Sequence, residues 1–290
     1  MKHFLIFALA ALALPALAEE KKLAADKPAV DIPADALVMV VMDPLAAPLS
    51  CPCVEGYAQR NYDKLAEFLT SQLGRPVVAV YNASLPAALK LDTKDRADIV
   101  IGKRSVVLYD AKRAAKQLRP VLSLSGKDGK TDMQGLFVVA SSDPAKSVAD
   151  LKGYRIFYGT EDSDEKYTAA FALLKTHGIA PTAKPETCAA CSDGATKILE
   201  LGPQARTATV ISSYAAPLLE GCGTVKKGDL KVIGTTGSVP FVEAFVSEGL
   251  SAGEQAKIEA ALSKMALDIE LLQAMESLMG FVPIGPQKKS

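Results

Sequence analysis

Ala36 to Met42 (ALVMVVM) is apolar without interruption and of strand length. Such a run reads as a central strand buried on both faces, the kind that α/β folds cover with helices above and below. The chain then supplies the helices in alternation. From Tyr57 to Leu73 the apolar residues Ala58, Tyr62, Leu65, Leu69 and Leu73 recur at helical spacing, and Gly74 follows as a terminator. Pro76–Tyr81 and Ala97–Ile101 read as further strands, Val106–Leu118 as a helix, and Pro120–Leu124, Gly135–Ala140 and Arg155–Tyr158 again as strands. Ser163 is placed to cap a helix carrying Tyr167, Ala170, Phe171 and Leu174, with His177 as a surface cation in its last turn. A short helix follows from Ser192 and Asp193 to Leu201. Strands are then expected at Thr207–Ile211, Leu230–Gly234 and Val239–Val246, with two helical runs between Glu254 and Met279. The alternation predicts an α/β fold with a largely parallel sheet.

Ligands of open α/β sheets lie beyond the carboxyl ends of the strands, so the strand-to-helix loops are where a site is expected. The loop after the first strand, Ser50-Cys51-Pro52-Cys53-Val54-Glu55-Gly56-Tyr57, is dense in ligating and hydrogen-bonding groups. A second pair of thiols, Cys188-Ala189-Ala190-Cys191, also ends just before a helical pattern.

The N-terminus sets the compartment in which those thiols are read. Lys2 and His3, an apolar stretch from Phe4 to Leu14 and an Ala-Leu-Ala ending at Ala18 form the pattern of a secretory signal peptide, with cleavage expected after Ala18. Residues 19–35 lack periodicity and are expected to be a disordered tether. Cleavage removes Lys2 and no acid from 33 Lys+Arg and 33 Asp+Glu, leaving a net charge of −1. Nothing in that balance points to nucleic acid or an anionic membrane surface as partner, and no later apolar stretch is long enough to span a bilayer. All five cysteines then belong to an exported protein, where disulfides persist.

The string Ser147-Val148-Ala149-Asp150-Leu151-Lys152-Gly153-Tyr154-Arg155-Ile156 lies among Ala97-Asp98-Ile99-Val100-Ile101-Gly102, the Gly135–Val139 strand and Val239-Pro240-Phe241. In that order and spacing, over about 37–281, the chain resembles the phosphate/phosphite/phosphonate-type periplasmic substrate-binding proteins of ABC transporters. The resemblance implies a bilobal, type II periplasmic-binding-protein-like α/β fold whose lobes are joined by two crossing segments. Mapped here, one lobe comprises 36–134 plus 238–290 and the other 135–237, with the ligand between them. Cys51, Cys53, Glu55, Tyr57, Lys103, Arg104 and Ser105 would reach the cleft from the first lobe. Cys188, Cys191, Ser213 and Tyr214 would reach it from the second, with Ser192-Asp193 replacing a histidine-aspartate pair. The implied protein is a periplasmic, monomeric receptor that hands a small ligand to a permease and is not an enzyme.

Where the family has a hydroxyl- and glycine-rich run, this chain has Thr160-Glu161-Asp162-Ser163-Asp164-Glu165-Lys166. Four carboxylates there are expected either to repel an anionic ligand or to favour the start of a helix through its dipole. Lys103, Arg104 and Lys166 would attract an anion, or else be solvated surface cations. Ser192 after Cys191 argues against covalent haem, and a thiol-disulfide redox role rests on spacing alone. Two readings of the thiols stay open. Cys51, Cys53, Cys188 and Cys191 could hold a soft cation, Cu or Zn, in a metal receptor or in an accessory protein serving an exported enzyme. Alternatively they form disulfides, with Cys222 as a further partner.

Overall fold

A computed structural model describes residues 31–50 and 58–285. Two separate sheets carry the fold. The first has the order β13-β4-β12-β3-β1-β2, with β1 Leu37–Met42, β2 Val77–Tyr81, β3 Ile99–Lys103, β4 Leu118–Leu124, β12 Val242–Ser247 and β13 Phe281–Pro283. The second has the order β10-β6-β9-β7-β8, with β6 Gly135–Ala140, β7 Arg155–Tyr158, β8 Glu186–Thr187, β9 Thr207–Ser212 and β10 Leu230–Thr235. Each sheet is the centre of one lobe.

All six residues of β1 are buried, and alternate ones serve two cores. Leu37, Met39 and Val41 pack with Leu65 and Leu69 of helix α1 (Tyr62–Leu73), whereas Val38 and Val40 face Leu85 and Val107. Val107 belongs to helix α2, Arg104–Arg113, which follows β3 directly. In the second lobe, Phe137 and Val139 pack with Ala170 and Leu174 of α3 (Thr168–Thr176). Val138 and Phe157 pack on the opposite face with Ala195 and Ile198 of α4 (Cys191–Leu201). Helix α5, Ala215–Gly221, covers that same face through Leu219.

The sheets are mixed, not largely parallel. Strands β2, β1 and β3 are parallel, as are β8, β7 and β9, but β12 runs antiparallel between β3 and β4. The cause is the chain's path. It leaves the first lobe after β4 and returns from the second lobe at that same end of the sheet, so β12 runs back against β3 and β4. The two crossings pair with each other as a two-stranded sheet, β5 Asp132–Met133 against β11 Val239–Pro240. The expected continuous strand Val239–Val246 is therefore split at Phe241. There the amide donates to Thr131 O (3.0 Å) and the carbonyl accepts from Arg104 N (2.7 Å).

Some boundaries also differ from expectation. Helix α1 starts at Tyr62 because Asn61 caps it, its side chain accepting from Lys64 N at 3.1 Å. Ser163 caps nothing, since α3 begins five residues later. The end of the expected tether is fixed to the fold. Ile32 packs against the Val38 core, and the carbonyl of Asp35 accepts from Arg75 at 2.6 Å. Residues 19–30 lie outside the described part.

Candidate functional site

Asp43 immediately follows β1, at the carboxyl end of the first sheet, and is fully buried. Its carboxylate accepts from Arg60 Nη1 (2.8 Å), from Tyr62 Oη (2.6 Å) and from Leu45 N (2.9 Å). Burial works to lower the Arg60 guanidinium, but Asp43 and Tyr62 together hold it above its ordinary pKa; burial and Asp43 together push the Tyr62 phenol well up. Arg60 lies over the ring of Phe241 (5.6 Å), whose other contact is a stacked Tyr214 from the second lobe (5.0 Å between centroids). Side chains from the two lobes thus meet face to face beside the crossings.

One strand over, Lys103 ends β3 and points its ammonium at Glu165 of the second lobe, 2.7 Å from the nearer carboxylate oxygen. Lys103 is 6% exposed and Glu165 not at all, so this inter-lobe ion pair is shielded from water. Glu165 also accepts from Ser212 Oγ (2.6 Å), at the carboxyl end of β9. Burial works against the charge of both partners. Lys103 is lowered by it despite Glu165, while Glu165 is held below its ordinary value because Lys103, Lys166 and the hydrogen bonds outweigh burial. Two further contacts border the pair. Asp164 N donates to Ser105 Oγ across the cleft (3.4 Å), and Arg104 binds the buried Glu243 (2.5 Å). Gly135 lets the Glu165 segment lie this close to β6 of its own lobe, because a Cβ there would lie 2.1 Å from the carbonyl oxygen of Glu165.

Glu165 reaches this position because the segment after β7 is a compact loop. Ser163 N donates to Thr160 O (2.9 Å), Lys166 N to Ser163 O (3.0 Å), and Gly159 N to Lys166 O (3.3 Å). The loop also buries Lys166, whose stem passes over Gly159, where a Cβ would come within 2.6 Å. Its ammonium lies 3.8 Å from the Cys191 thiol at the first residue of α4. Cys191 Sγ in turn accepts from Ser212 N (3.4 Å). Around Lys166 and Cys191 is a pocket of about 300 Å³, walled by Pro44 and Leu45 of the first lobe and by Tyr214, Ala215, Leu218 and Leu219 of the second.

The structure brings together only part of the expected site. Lys103, Ser105, Cys191, Ser192 and Tyr214 lie at the junction of the lobes. Ser213 is taken up by the crossing, its Oγ accepting from Gln134 N at 3.2 Å. Asp193 is exposed, and its carboxylate accepts from Ala190 N at 3.1 Å. Cys51, Cys53, Glu55 and Tyr57 lie outside the described residues.

The expected row of four carboxylates is broken up. Glu161 and Asp162 line a different groove with Tyr109 and Arg113, Asp164 is near Lys103 and Arg104, and Glu165 is neutralised by Lys103. Lys103 and Lys166 are buried, so the surface-cation alternative fails for both. The disulfide reading of Cys188 and Cys191 does not hold either, while the metal reading finds no support among the described residues and shares Cys51 and Cys53 with the part outside them. Both thiols are free, as is Cys222, and Cys188 is packed in the core with Phe157 and Ile198, where burial raises its pKa. Among the described residues no group of three or more His, Cys, Asp or Glu is arranged to hold a metal.

Asp43, Arg60, Tyr62, Ser212 and Glu243 were absent from the expected site. For Asp43 a signal existed, since an acid ending a fully buried central strand must be buried and therefore paired.

Among solved structures, the fold is similar to that of a Xanthomonas citri protein bound to ATP, with TM-score 0.64 and 17% identity over 87% of this chain and 92% of that one. A binding protein component of a phosphonate ABC transporter from Pseudomonas aeruginosa has TM-score 0.64 and 14% identity, over 86% and 82% of the two chains. PhnD1 from Prochlorococcus marinus, in complex with methylphosphonate, has TM-score 0.61 and 13% identity, over 86% and 93%. No curated protein matches the sequence significantly. The family model described as "ABC transporter, phosphonate, periplasmic substrate-binding protein" matches residues 56–288. With two lobes, paired crossings and a cleft at the strand ends, the chain belongs to this family of periplasmic substrate-binding proteins of phosphonate-type ABC transporters.

Proposed function

We propose that the protein is a periplasmic receptor that closes its two lobes, 36–134 plus 238–290 and 135–237, on a small solute and presents it to a membrane permease. The observation that carries this reading is the cluster of buried polar side chains at the junction. Lys103 from β3, Ser212 from β9 and Glu165 between them converge from both sheets at their carboxyl ends. Residues 1–18 act as the export signal in this reading. No helix among the described residues is long and apolar enough to cross a membrane, which agrees with a receptor that meets its permease as a separate chain. The protein acts as a carrier and not a catalyst, its exposed His177 ending α3 on the outside of the second lobe.

The solute class follows the family, and methylphosphonate is the first probe. Solution scattering of the purified protein with and without methylphosphonate is expected to show a smaller radius of gyration in its presence, as hinge closure requires. An unchanged radius with methylphosphonate, phosphate and phosphite alike would remove the receptor reading.

A further inference from the structure

Asp43 and Glu165 are both fully buried acids at the junction, but their oxygens are served differently. Each oxygen of Asp43 accepts a hydrogen bond, Oδ1 from Leu45 N and Oδ2 from Arg60 and Tyr62. Glu165 takes both of its hydrogen bonds on Oε1, from Lys103 Nζ at 2.8 Å and from Ser212 Oγ at 2.6 Å. Its Oε2 lies 2.7 Å from the same ammonium yet accepts no hydrogen bond among the described residues. A buried carboxylate gives up its water at a large cost, and an oxygen left without a donor recovers little of it.

The contacts that Glu165 does make come from both lobes. Lys103 ends β3 of the first sheet and Ser212 ends β9 of the second. A solute held between two closing lobes is gripped in this way, from both sides at the carboxyl ends of the strands. Here a side chain of the protein is gripped instead, and its backbone is fixed against β6, where Gly135 has no Cβ to press on the Glu165 carbonyl. The surrounding charge demands an occupant. Lys166 as well as Lys103 acts electrostatically on Glu165, and the two ammoniums repel each other. Removal of the carboxylate leaves both cations buried together, a state relieved when another anion arrives or when the lobes part. We infer that Glu165 is a built-in competitor for the cleft, an autoinhibitory contact in which its carboxylate occupies Lys103 and Ser212 in the empty protein and is turned out by the solute. A group tethered this closely competes as though present at a concentration on the order of millimolar, so only a solute abundant or well matched enough to displace it is taken up.

The inference rests on the receptor reading, because a competitor needs a solute to compete with, and the test separates the two. Methylphosphonate is titrated calorimetrically into wild type and into Glu165→Gln, which is close in size and carries no charge. Glu165→Gln should bind about tenfold more tightly, the effect of one charge-assisted hydrogen bond that no longer has to be broken. Glu165→Asp keeps the charge but withdraws it by one methylene; it should fall between the two and replaces Glu165→Gln if that variant does not fold. Adding Lys103→Met to Glu165→Gln should cancel the gain, since the freed ammonium is what the solute takes. Equal or weaker binding by the folded Glu165 variant, or a gain that survives Lys103→Met, overturns the inference. Compaction of wild type by methylphosphonate with no gain in the variant removes the inference and leaves the receptor. Binding by the variant alone, with the wild-type radius unchanged by every solute, upholds the inference and removes the receptor reading. Binding by neither protein removes both.

Discussion

Asp43–Arg60 and Lys103–Glu165 are both buried, at 2.8 and 2.7 Å, and both begin at the carboxyl ends of neighbouring strands, β1 and β3. They differ in what they tie. Asp43 and Arg60 are 17 residues apart and belong to the same lobe, with Tyr62 closing the group. Lys103 and Glu165 are 62 residues apart and belong to different lobes. The first pair stays dry as long as its lobe is folded. The second can regain water when the lobes part and the protein stays folded. A charge pair inside one rigid body is a brace; the same chemistry across a cleft sets how far open the cleft rests.

Substitution at Asp43 should have the largest effect. Asp43→Ala leaves Arg60 buried without a carboxylate, and a loss of about 3–5 kcal/mol of unfolding free energy is expected in urea. The radius of gyration of the remaining folded protein should not change, because nothing between the lobes has been altered. A loss below about 1 kcal/mol would mean that Arg60 finds water, and that the brace is no different from the inter-lobe pair.

Glu165→Gln should cost less, about 1–3 kcal/mol, because Lys103 can be hydrated by opening the cleft. Its signature is geometric: scattering of the solute-free protein should show a larger radius than wild type. Destabilisation as large as that of Asp43→Ala, with no expansion, would show that the lobes cannot separate and that both pairs are braces.

The smallest effect is expected from pH. Glu165 is held below its ordinary value in the folded protein, so its stabilising contribution is complete above the unfolded carboxyl pKa of about 4.3 and is lost as pH falls through the folded value. The stability gap between wild type and Glu165→Gln should therefore be constant from neutral pH down to about 5 and narrow below about 4. Thermal unfolding across that range measures it, and a gap that widens in acid would contradict the ionised pair.

What the sequence disclosed and what it hid follow from how local each cause is. The uninterrupted run at β1 and the periodicity of α1 and α3 are local, and so were the strands Gly135–Ala140 and Arg155–Tyr158, found with their observed bounds. Strand direction is not local. The antiparallel entry of β12 depends on where the chain crosses and returns, which no apolar pattern records. The segment from Thr160 to Lys166 misled for a related reason. Seven residues rich in charge read as a wall repelling anions or as a helix start, yet the fold buries Ser163, Glu165 and Lys166 and leaves Glu161 exposed. The partners that make such burial tolerable, Lys103 and Ser212, are dozens of positions away in the chain.

The pairing of β5 with β11 limits how this molecule can move. Two independent tethers would let the lobes twist, slide and swing. Strands hydrogen-bonded to each other across the crossing, Val239 opposite Met133 and Pro240 opposite Asp132, leave little besides rotation about a single axis. In the proposed receptor, opening would then follow mainly one angle, and a solute would shift it by changing that angle. Whatever reads the bound state from outside needs to sense only that angle.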